Sequence, residues 1–148
     1  VPSNDLQGTV IGGHGDTTMI PLTRLASYQS SPVSAHLSEE LLAKAKADTM
    51  VGGATLTGLL GTSAWYAPGA AGAALVASIV RDEKRVFPCC VALNGEYGQS
   101  DICLGVPVVV GKNGWEKIVT LDLTEAEQAE FNKSAAAVRS MNAVLDTL

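Results

Sequence analysis

The chain has 148 residues, of which 47% are hydrophobic and 17% charged, a composition that suits one domain with a sizeable core and excludes intrinsic disorder. The formal net charge is −5 and the ten basic residues are scattered, so we expect no nucleic-acid partner. Because the chain starts at a valine and no basic-then-apolar signal segment follows, we expect it to be a piece of a longer protein.

The cysteines and histidines indicate neither a disulfide framework nor a metal centre. Cys89, Cys90 and Cys103 cannot form a fully paired set, and two of them are neighbours on a predicted strand. The simplest interpretation is buried thiols in a reducing cytosol, which predicts a cytoplasmic protein. His14 and His36 have no spacing that joins them to each other or to the cysteines as ligands, so we expect no metal.

A histidine between glycines dominates the first part of the chain. Residues 7–11 predict a short apolar strand, which runs into the glycine-rich segment 12–16 with His14 at its centre. Residues 19–25 also have strand character, although a proline restricts them to an edge or bent strand. Residues 28–35 predict a polar loop.

The residues alone leave two interpretations of His14 open. Glycine permits positive φ and close approach of a second molecule, so the turn can present the imidazole to a ligand and exchange a proton with it near neutral pH. Alternatively, His14 is a turn residue that bonds Asp16 two positions later. Turns of glycine and aspartate are common for local reasons, and the triplet by itself favours this second interpretation.

Two long helices are predicted in the middle of the chain. Ser38 is typical of an N-cap, two glutamates follow it, and apolar residues then recur, so we predict a helix over 38–60. No residue in 49–80 is charged. The glycines, alanines and proline of this uncharged segment argue against a membrane span and favour a second helix over 65–81. Such small side chains suit close helix packing, within the domain or between subunits.

Three strands follow the helices. Residues 86–93, 102–110 and 115–121 are joined by short turns rich in glycine and asparagine, which predicts an antiparallel meander. Pro107 indicates that its strand is bent or lies at an edge, where no donor is needed at that position.

The last predicted element is a helix that begins at a capping box in residues 124–127. An apolar stripe runs along it. The stripe consists of Phe131, Ala135, Val138, Met141 and Leu145. Helices segregated against an antiparallel sheet predict an α+β fold, in which the sheet packs with long helices over the whole chain.

Five segments together resemble one family. They are Ile-Gly-Gly-His-Gly-Asp at 11–16, Met-Ile-Pro-Leu-Thr-Arg at 19–24, Gly-Thr-Ser-Ala-Trp-Tyr-Ala-Pro at 61–68, Glu-Tyr-Gly at 96–98 and the strand with its turn at 106–114. The first two are similar to the catalytic-histidine segment of the lactate/malate dehydrogenases, in the branch whose malate enzymes resemble lactate dehydrogenase. The other segments follow in the family's order, and this favours the catalytic interpretation of the histidine.

The resemblance implies roles for individual residues. His14 matches the group that accepts the hydroxyl proton of a 2-hydroxy acid while hydride leaves the same carbon for NAD, and in reverse it donates the proton to the ketone. Asp16 matches the acid of the motif and shapes the turn without orienting the histidine. Ala64 matches a position that lines the substrate pocket beside the reacting carbon, with Ser63 and Pro68 close to it.

Small residues in that pocket favour one substrate. Lactate enzymes of the family tend to carry Thr at the position of Ala64 and Glu at that of Gly13, so the residues found here favour malate and oxaloacetate. The resemblance therefore implies an NAD-dependent dehydrogenase acting on malate, with L-lactate or another 2-hydroxy acid as the alternative. An alternative of another class is a non-catalytic assembly module, because the uncharged helices also suit subunit contacts.

Two parts of the family's site have no match in this sequence. The family seats the pyrophosphate of NAD on a G-x-G-x-x-G turn, which this chain lacks, and helix packing explains residues 69–72 better. The arginines that grip the substrate carboxylates are not matched by Arg24, Arg81, Arg85 or Arg139. We therefore expect a substrate-side domain that is inactive without its dinucleotide-binding domain, and a homo-oligomer, dimer or tetramer, as in the family.

Overall fold

The computed structural model describes residues 3–147, which fall into two compact units. The first unit combines the residues up to Val51 with those from Leu123 onwards, and the second is Gly52–Asp122. Each unit pairs antiparallel strands with helices, so the predicted α+β class is confirmed. Along the described part of the chain, no helix combines the length and the apolar character needed to cross a bilayer.

Five short strands form the β-structure of the first unit. Their bounds are β1 Leu6–Gln7, β2 Val10–Gly12, β3 Met19–Pro21, β4 Ser27–Tyr28 and β5 Ser31–Pro32. Strands β1, β4 and β5 form a small antiparallel sheet in that order, whereas β2 and β3 pair as a hairpin with Ile11 opposite Ile20. The connection of this hairpin, residues 13–18, carries His14.

Three of the local predictions for this region need correction. The strand expected over 7–11 is divided at Gly8, because β1 and β2 pair with different partners. The strand expected over 19–25 ends at Pro21, and a 3-10 turn at Thr23–Leu25 replaces the ladder with bonds between residues three apart. The loop expected over 28–35 contains the tight β4–β5 hairpin, whose two turn residues both have positive φ.

Two long helices begin in the first unit, one of which continues into the second, and the predicted caps are confirmed at both. Helix α1 spans Glu39–Leu60, as expected, and the Leu41 N–H donates to Ser38 Oγ across 3.3 Å. Before the C-terminal helix, Thr124 Oγ1 accepts from the Glu127 N–H at 3.2 Å and Glu127 Oε2 accepts from the Thr124 N–H at 2.9 Å. These reciprocal bonds satisfy donors that a helix start otherwise leaves unpaired.

The C-terminal helix packs on the β2–β3 hairpin and forms the core of the first unit with it. Phe131 and Ala135 are fully buried, as the predicted stripe requires. Met141 and Leu145, by contrast, are 70% and 69% exposed, so the second half of the stripe was wrong. Val138, which packs beside Gly13, is half-buried, and the helix residues 139–142 after it are exposed.

The second unit is a three-stranded meander with one helix against it. In chain order its elements are α2 Tyr66–Val80, β6 Arg85–Asn94, β7 Ser100–Gly111 and β8 Gly114–Ile118. The C-terminal helix of the first unit, described above, is α3 Glu125–Asn142. The predictions of a second helix and of an antiparallel meander are confirmed. Alternate residues of β7, from Ile102 to Val110, form the buried face, and Ser78 Oγ on α2 donates to the Val110 carbonyl at 2.9 Å.

Pro107 lies in β7, the middle strand of the meander, so of the two expected strand types, bent or at an edge, the edge strand is wrong. It stands opposite Pro88 in the β6–β7 ladder. Its carbonyl accepts from the Val119 N–H at 2.8 Å, on the side of β8, which shows that its own missing N–H also faces β8 and not β6. The carbonyl of Val119, the residue opposite Pro107, accepts instead from the Tyr97 hydroxyl at 2.8 Å, so the missing N–H leaves no acceptor unpaired there.

The cysteines are less buried than the sequence suggests. Cys90 and Cys103 are exposed and Cys89 is half-buried, and all three thiols are free. Side chains alternate between the two faces of a strand, and the neighbouring Val91, together with the residues on either side of Cys103, occupies the buried face. Partial burial raises the pKa of the Cys89 and Cys90 thiols, which keeps them protonated and poorly nucleophilic.

Candidate active site

The connection between β2 and β3 holds His14 at the surface. The Gly15 carbonyl accepts from the backbone N–H groups of Thr18 and Met19, at 2.9 and 3.0 Å, and this closes the turn directly after the histidine. The hydroxyl of Thr18 also donates to the same carbonyl at 3.2 Å. The imidazole is therefore displayed by a turn whose backbone bonds do not involve the ring.

The side chain of His14 is exposed, and so is that of Asp16. Among the described residues, no hydrogen bond joins these two side chains and the ring bonds no other protein group. This geometry does not support the local alternative, in which the histidine bonds the aspartate. An exposed imidazole without an internal partner is free to exchange a proton with a molecule that approaches the turn.

The two glycines before His14 are buried and tightly surrounded. A Cβ atom at Gly12 would lie 2.6 Å from the Thr18 carbonyl oxygen, and this residue has φ +93°. At Gly13, a Cβ atom would lie 2.8 Å from Thr18 Oγ1 and 2.9 Å from Val138 Cγ2. Neither position accepts a side chain without movement of the turn or of α3. The role of Gly13 in the substrate pocket stays a prediction.

A buried serine that the sequence analysis did not select holds the same turn. Ser134 on α3 accepts from the Gly13 N–H at 2.8 Å and donates to the Thr18 carbonyl at 2.7 Å. Its side chain is 3% exposed. One signal was present, because this polar residue lies three positions after Phe131 and four before Val138, on the apolar stripe of the helix.

The other predicted pocket residues belong to the second unit. Gly61, with φ +68°, ends α1 in the left-handed conformation, and the segment up to Trp65 connects it to α2. Ser63 is exposed and Ala64 half-buried on this segment, whereas Pro68 lies in the first turn of α2, where a missing N–H costs no helical bond. Their function as a substrate pocket stays a prediction.

The glycines at 69 and 72 do not form a glycine-rich turn of the dinucleotide-binding type. Gly69 and Gly72 lie inside α2, in regular helix, and not on a turn between a strand and a helix N-terminus. Such a turn is what presents backbone N–H groups to a pyrophosphate.

Two other polar side chains have structural partners. Arg24 holds Glu127 through two bonds, from Nε at 3.1 Å and from a terminal nitrogen at 2.9 Å, and this contact lowers the pKa of the glutamate. Nε2 of His36 lies 2.6 Å from Ser31 Oγ, and the ring packs edge-on against Tyr28. Within the described ranges, no three His, Cys, Asp or Glu side chains are grouped as a metal site would require.

Two cavities of the first unit lie away from the imidazole. One of about 180 Å³ borders the Thr17–Thr18 end of the turn and contains Lys46, which pairs with Glu130 at 2.8 Å. Another, of about 340 Å³, is lined by apolar and neutral polar residues and has no titratable side chain. His14 lines neither of them, so the imidazole is presented to the outside of the unit.

This chain is similar to malate and lactate dehydrogenases in both sequence and structure. A malate dehydrogenase from Flavobacterium johnsoniae is 64% identical over 147 residues, which make up 99% of this chain and 47% of that protein. The structure of a malate dehydrogenase from Salinibacter ruber matches with a TM-score of 0.95 and 39% identity, over 100% of this chain and 48% of that chain. A Cryptosporidium parvum lactate dehydrogenase, complexed with lactic acid and nicotinamide adenine dinucleotide, matches with a TM-score of 0.94 and 34% identity, over 100% of this chain and 48% of that chain.

These matches cover nearly all of this chain but only about half of each relative. The chain spans about half the length of the curated relatives it matches. A family model described as lactate/malate dehydrogenase, alpha/beta C-terminal domain, matches residues 1–145. With the glycine turn, its displayed histidine and the α+β units in place, the chain belongs to the lactate/malate dehydrogenase family, as a domain of the C-terminal α/β type.

Proposed function

We propose that this chain is the catalytic half of an NAD-dependent malate dehydrogenase, which interconverts (S)-malate and oxaloacetate. The observation that carries the proposal is the 64% identity to the Flavobacterium johnsoniae malate dehydrogenase along 99% of the chain. Since the chain is about half as long as that relative, the proposal concerns the whole protein, and the half alone is expected to be inactive.

In this proposal His14 is the catalytic acid–base group. Its ring accepts the hydroxyl proton of malate during oxidation and returns a proton to the ketone of oxaloacetate during reduction. The exposed position and the absence of an internal partner among the described residues support this role, because the lone pair of the neutral ring is not occupied by a protein donor. NAD, bound by a preceding dinucleotide-binding domain, supplies the hydride acceptor.

Malate is the proposed substrate because of two small residues. Ala64 leaves room beside the reacting carbon that a threonine would occupy, and Gly13 stands where the family's lactate enzymes tend to carry a glutamate. The packing of Thr18 and Val138 around Gly13 also argues against a large side chain there. Lactate remains the second candidate, since a lactate dehydrogenase matches the fold with a TM-score of 0.94.

We also propose an oligomeric state and a cellular compartment for the enzyme. Leu59, Tyr66 and Val80 are 80%, 83% and 78% exposed, and apolar side chains this open on helices favour a homo-oligomer in which a second subunit covers them. The free thiols of Cys90 and Cys103 favour a reducing compartment, so we place the protein in the cytoplasm.

The test uses the full-length enzyme and its His14→Asn variant. Wild type should reduce oxaloacetate with a higher kcat/KM than pyruvate, because the small residues Gly13 and Ala64 leave room for the larger substrate. The variant should bind NADH as wild type does, yet turn over about 10²- to 10⁴-fold more slowly, the loss typical of removing a general acid–base group. Binding is followed by NADH fluorescence and turnover by NADH absorbance.

His36→Asn is the matched control, since this second histidine bonds Ser31 and has no role in the proposed chemistry. It should keep the turnover of wild type. A His14→Asn enzyme whose turnover stays within about threefold of wild type would remove this histidine from the mechanism. A preference for pyruvate would replace the malate assignment by the lactate one.

A further inference from the structure

The hydroxyl of Ser134 forms hydrogen bonds with both ends of the turn that carries His14. Gly13, the residue before the histidine, donates its N–H to Ser134 Oγ at 2.8 Å, and the same oxygen donates its proton to the carbonyl of Thr18 at 2.7 Å. A serine hydroxyl has one donor and two acceptor positions, so both bonds form at the same time. The connection 13–18 is thereby closed by a side chain 121 residues away in sequence from its first residue.

The support for this hydroxyl is rigid. Ser134 is 3% exposed, and its neighbours on the same face of α3, Phe131 and Ala135, are 0% and 1% exposed. The helix therefore fixes the position of the oxygen through fully packed side chains. Gly12 contributes as well, because a Cβ atom there would lie 2.8 Å from Ser134 Oγ and would displace it.

We propose that Ser134 is a positioning residue for the catalytic histidine, an assignment that rests on the proposed function of His14. The hydroxyl holds the peptide N–H before His14 and the carbonyl at the end of the turn, and so sets the direction in which the imidazole meets the substrate. It does not touch the reacting atoms. Small displacements of a catalytic group have large effects on rate, because proton transfer requires close, aligned contact.

Loss of the hydroxyl has a definite structural consequence. In Ser134→Ala, the Gly13 N–H loses its partner in a buried place, and the Thr18 carbonyl loses a bond in a partly buried one. Buried unpaired backbone groups are costly, so the turn is expected to move until water reaches them. The fold of α3 remains anchored by Phe131, but the direction of the imidazole is no longer fixed.

The experiment compares two pairs of full-length enzymes, and in each pair one member has the hydroxyl and the other lacks it. Wild type and Ser134→Ala differ by the hydroxyl, and so do Ser134→Thr and Ser134→Val, which share a larger volume. In each pair the member with the hydroxyl should have a kcat about 10- to 100-fold higher, while NADH binds equally well. If Ser134→Ala fails to fold, the ratio within the Thr/Val pair decides.

Isotope effects separate positioning from loss of folded protein. With NADH deuterated at the transferred position, the primary isotope effect on kcat should rise in the variants without the hydroxyl, because the chemical step becomes rate-limiting. A smaller folded fraction lowers the rate without changing the isotope effect. Ser78→Ala is the control, since it also loses a buried hydroxyl bond, to the Val110 carbonyl, and should keep the isotope effect of wild type.

The outcomes distinguish this inference from the proposed function. Equal kcat values, within about threefold, in both pairs would overturn the positioning role even if His14→Asn is inactive. An unchanged isotope effect alongside a lowered rate would also overturn it, because the defect would then be structural. A full-length wild type that reduces neither oxaloacetate nor pyruvate would overturn the proposed function, and the positioning role with it.

Discussion

Gly12 has two independent reasons to be glycine. Its φ of +93° lies in the region that side chains rarely adopt, and a Cβ atom would meet the backbone oxygen of Thr18 at 2.6 Å. A backbone oxygen cannot rotate away as a flexible side chain does. The residue is the last of β2, so any movement here is transmitted to the turn that displays His14.

We predict that Gly12→Ala lowers the free energy of unfolding of the full-length protein by about 2–5 kcal/mol, since backbone strain and overpacking add. Gly114→Ala should cost only about 1–2 kcal/mol, because Gly114 has φ +87° but open space around it. Gly8→Ala, with open space and no positive φ, should be nearly neutral. Thermal denaturation gives this order, and a Gly12→Ala protein as stable as Gly8→Ala would contradict the tight packing of the turn.

At the scale of elements, the start of α3 is tied to the region after β3. Glu127 serves the capping box of the helix and also binds Arg24 through two nitrogens. The Arg24 guanidinium, as the main cause, holds the pKa of the Glu127 carboxyl below its ordinary value. A carboxyl whose pKa is lower in the folded than in the unfolded state stabilises the fold above the unfolded pKa. This contribution is lost as the pH falls through the folded pKa.

We predict that Glu127→Gln lowers the thermal midpoint of the full-length protein at pH 7 by about 2 °C. The difference from wild type should shrink as the pH falls below about 4.3, the unfolded pKa of glutamate, because the wild-type carboxylate then takes up a proton. Glu125→Gln is the matched control, because this exposed glutamate lies in the same helical turn; its midpoint at pH 7 should be close to that of wild type. If the midpoints of Glu127→Gln and wild type differ by the same amount from about pH 3 to about pH 7, the ion pair with Arg24 is excluded as the cause of the difference.

At the scale of the whole molecule, the second unit leaves large apolar side chains uncovered. Besides Leu59, Tyr66 and Val80, Leu60 and Trp65 are 55% and 63% exposed. Proteins that act alone rarely leave several large apolar side chains this exposed on neighbouring helices. Together with the half-length match to the curated relatives, this surface favours further protein mass around the units.

We predict that the polypeptide made by the cell has about twice the 15.3 kDa mass of this chain, as one additional domain of common size would give. The measurement is the intact mass of the species that contains the tryptic peptide 118–133, from the start of α3. A mass near 15.3 kDa would contradict the enzyme proposal and favour the assembly module.

The amino-acid sequence by itself determined the features that depend on neighbours along the chain. The ends of α1 and α2, the capping box before α3 and the three strands of the meander follow from caps, turns and periodicity, all of which act within a few residues. The glycines around His14 likewise marked the turn. Where a local pattern was ambiguous, as at residues 7–11 and 28–35, the pairing partners decided, and the prediction was wrong.

Only the tertiary structure decided which side chains meet across the chain. The bonds of Ser134 to the turn and of Arg24 to Glu127 join residues more than 100 positions apart, and no local pattern specifies such pairs. Strand alternation turned Cys90 and Cys103 outwards, and the reach of the hairpin ended the buried stripe of α3. The physical reason is the same throughout: helices, turns and caps are stabilised by bonds between near neighbours, whereas burial and long-range hydrogen bonds depend on where distant elements pack.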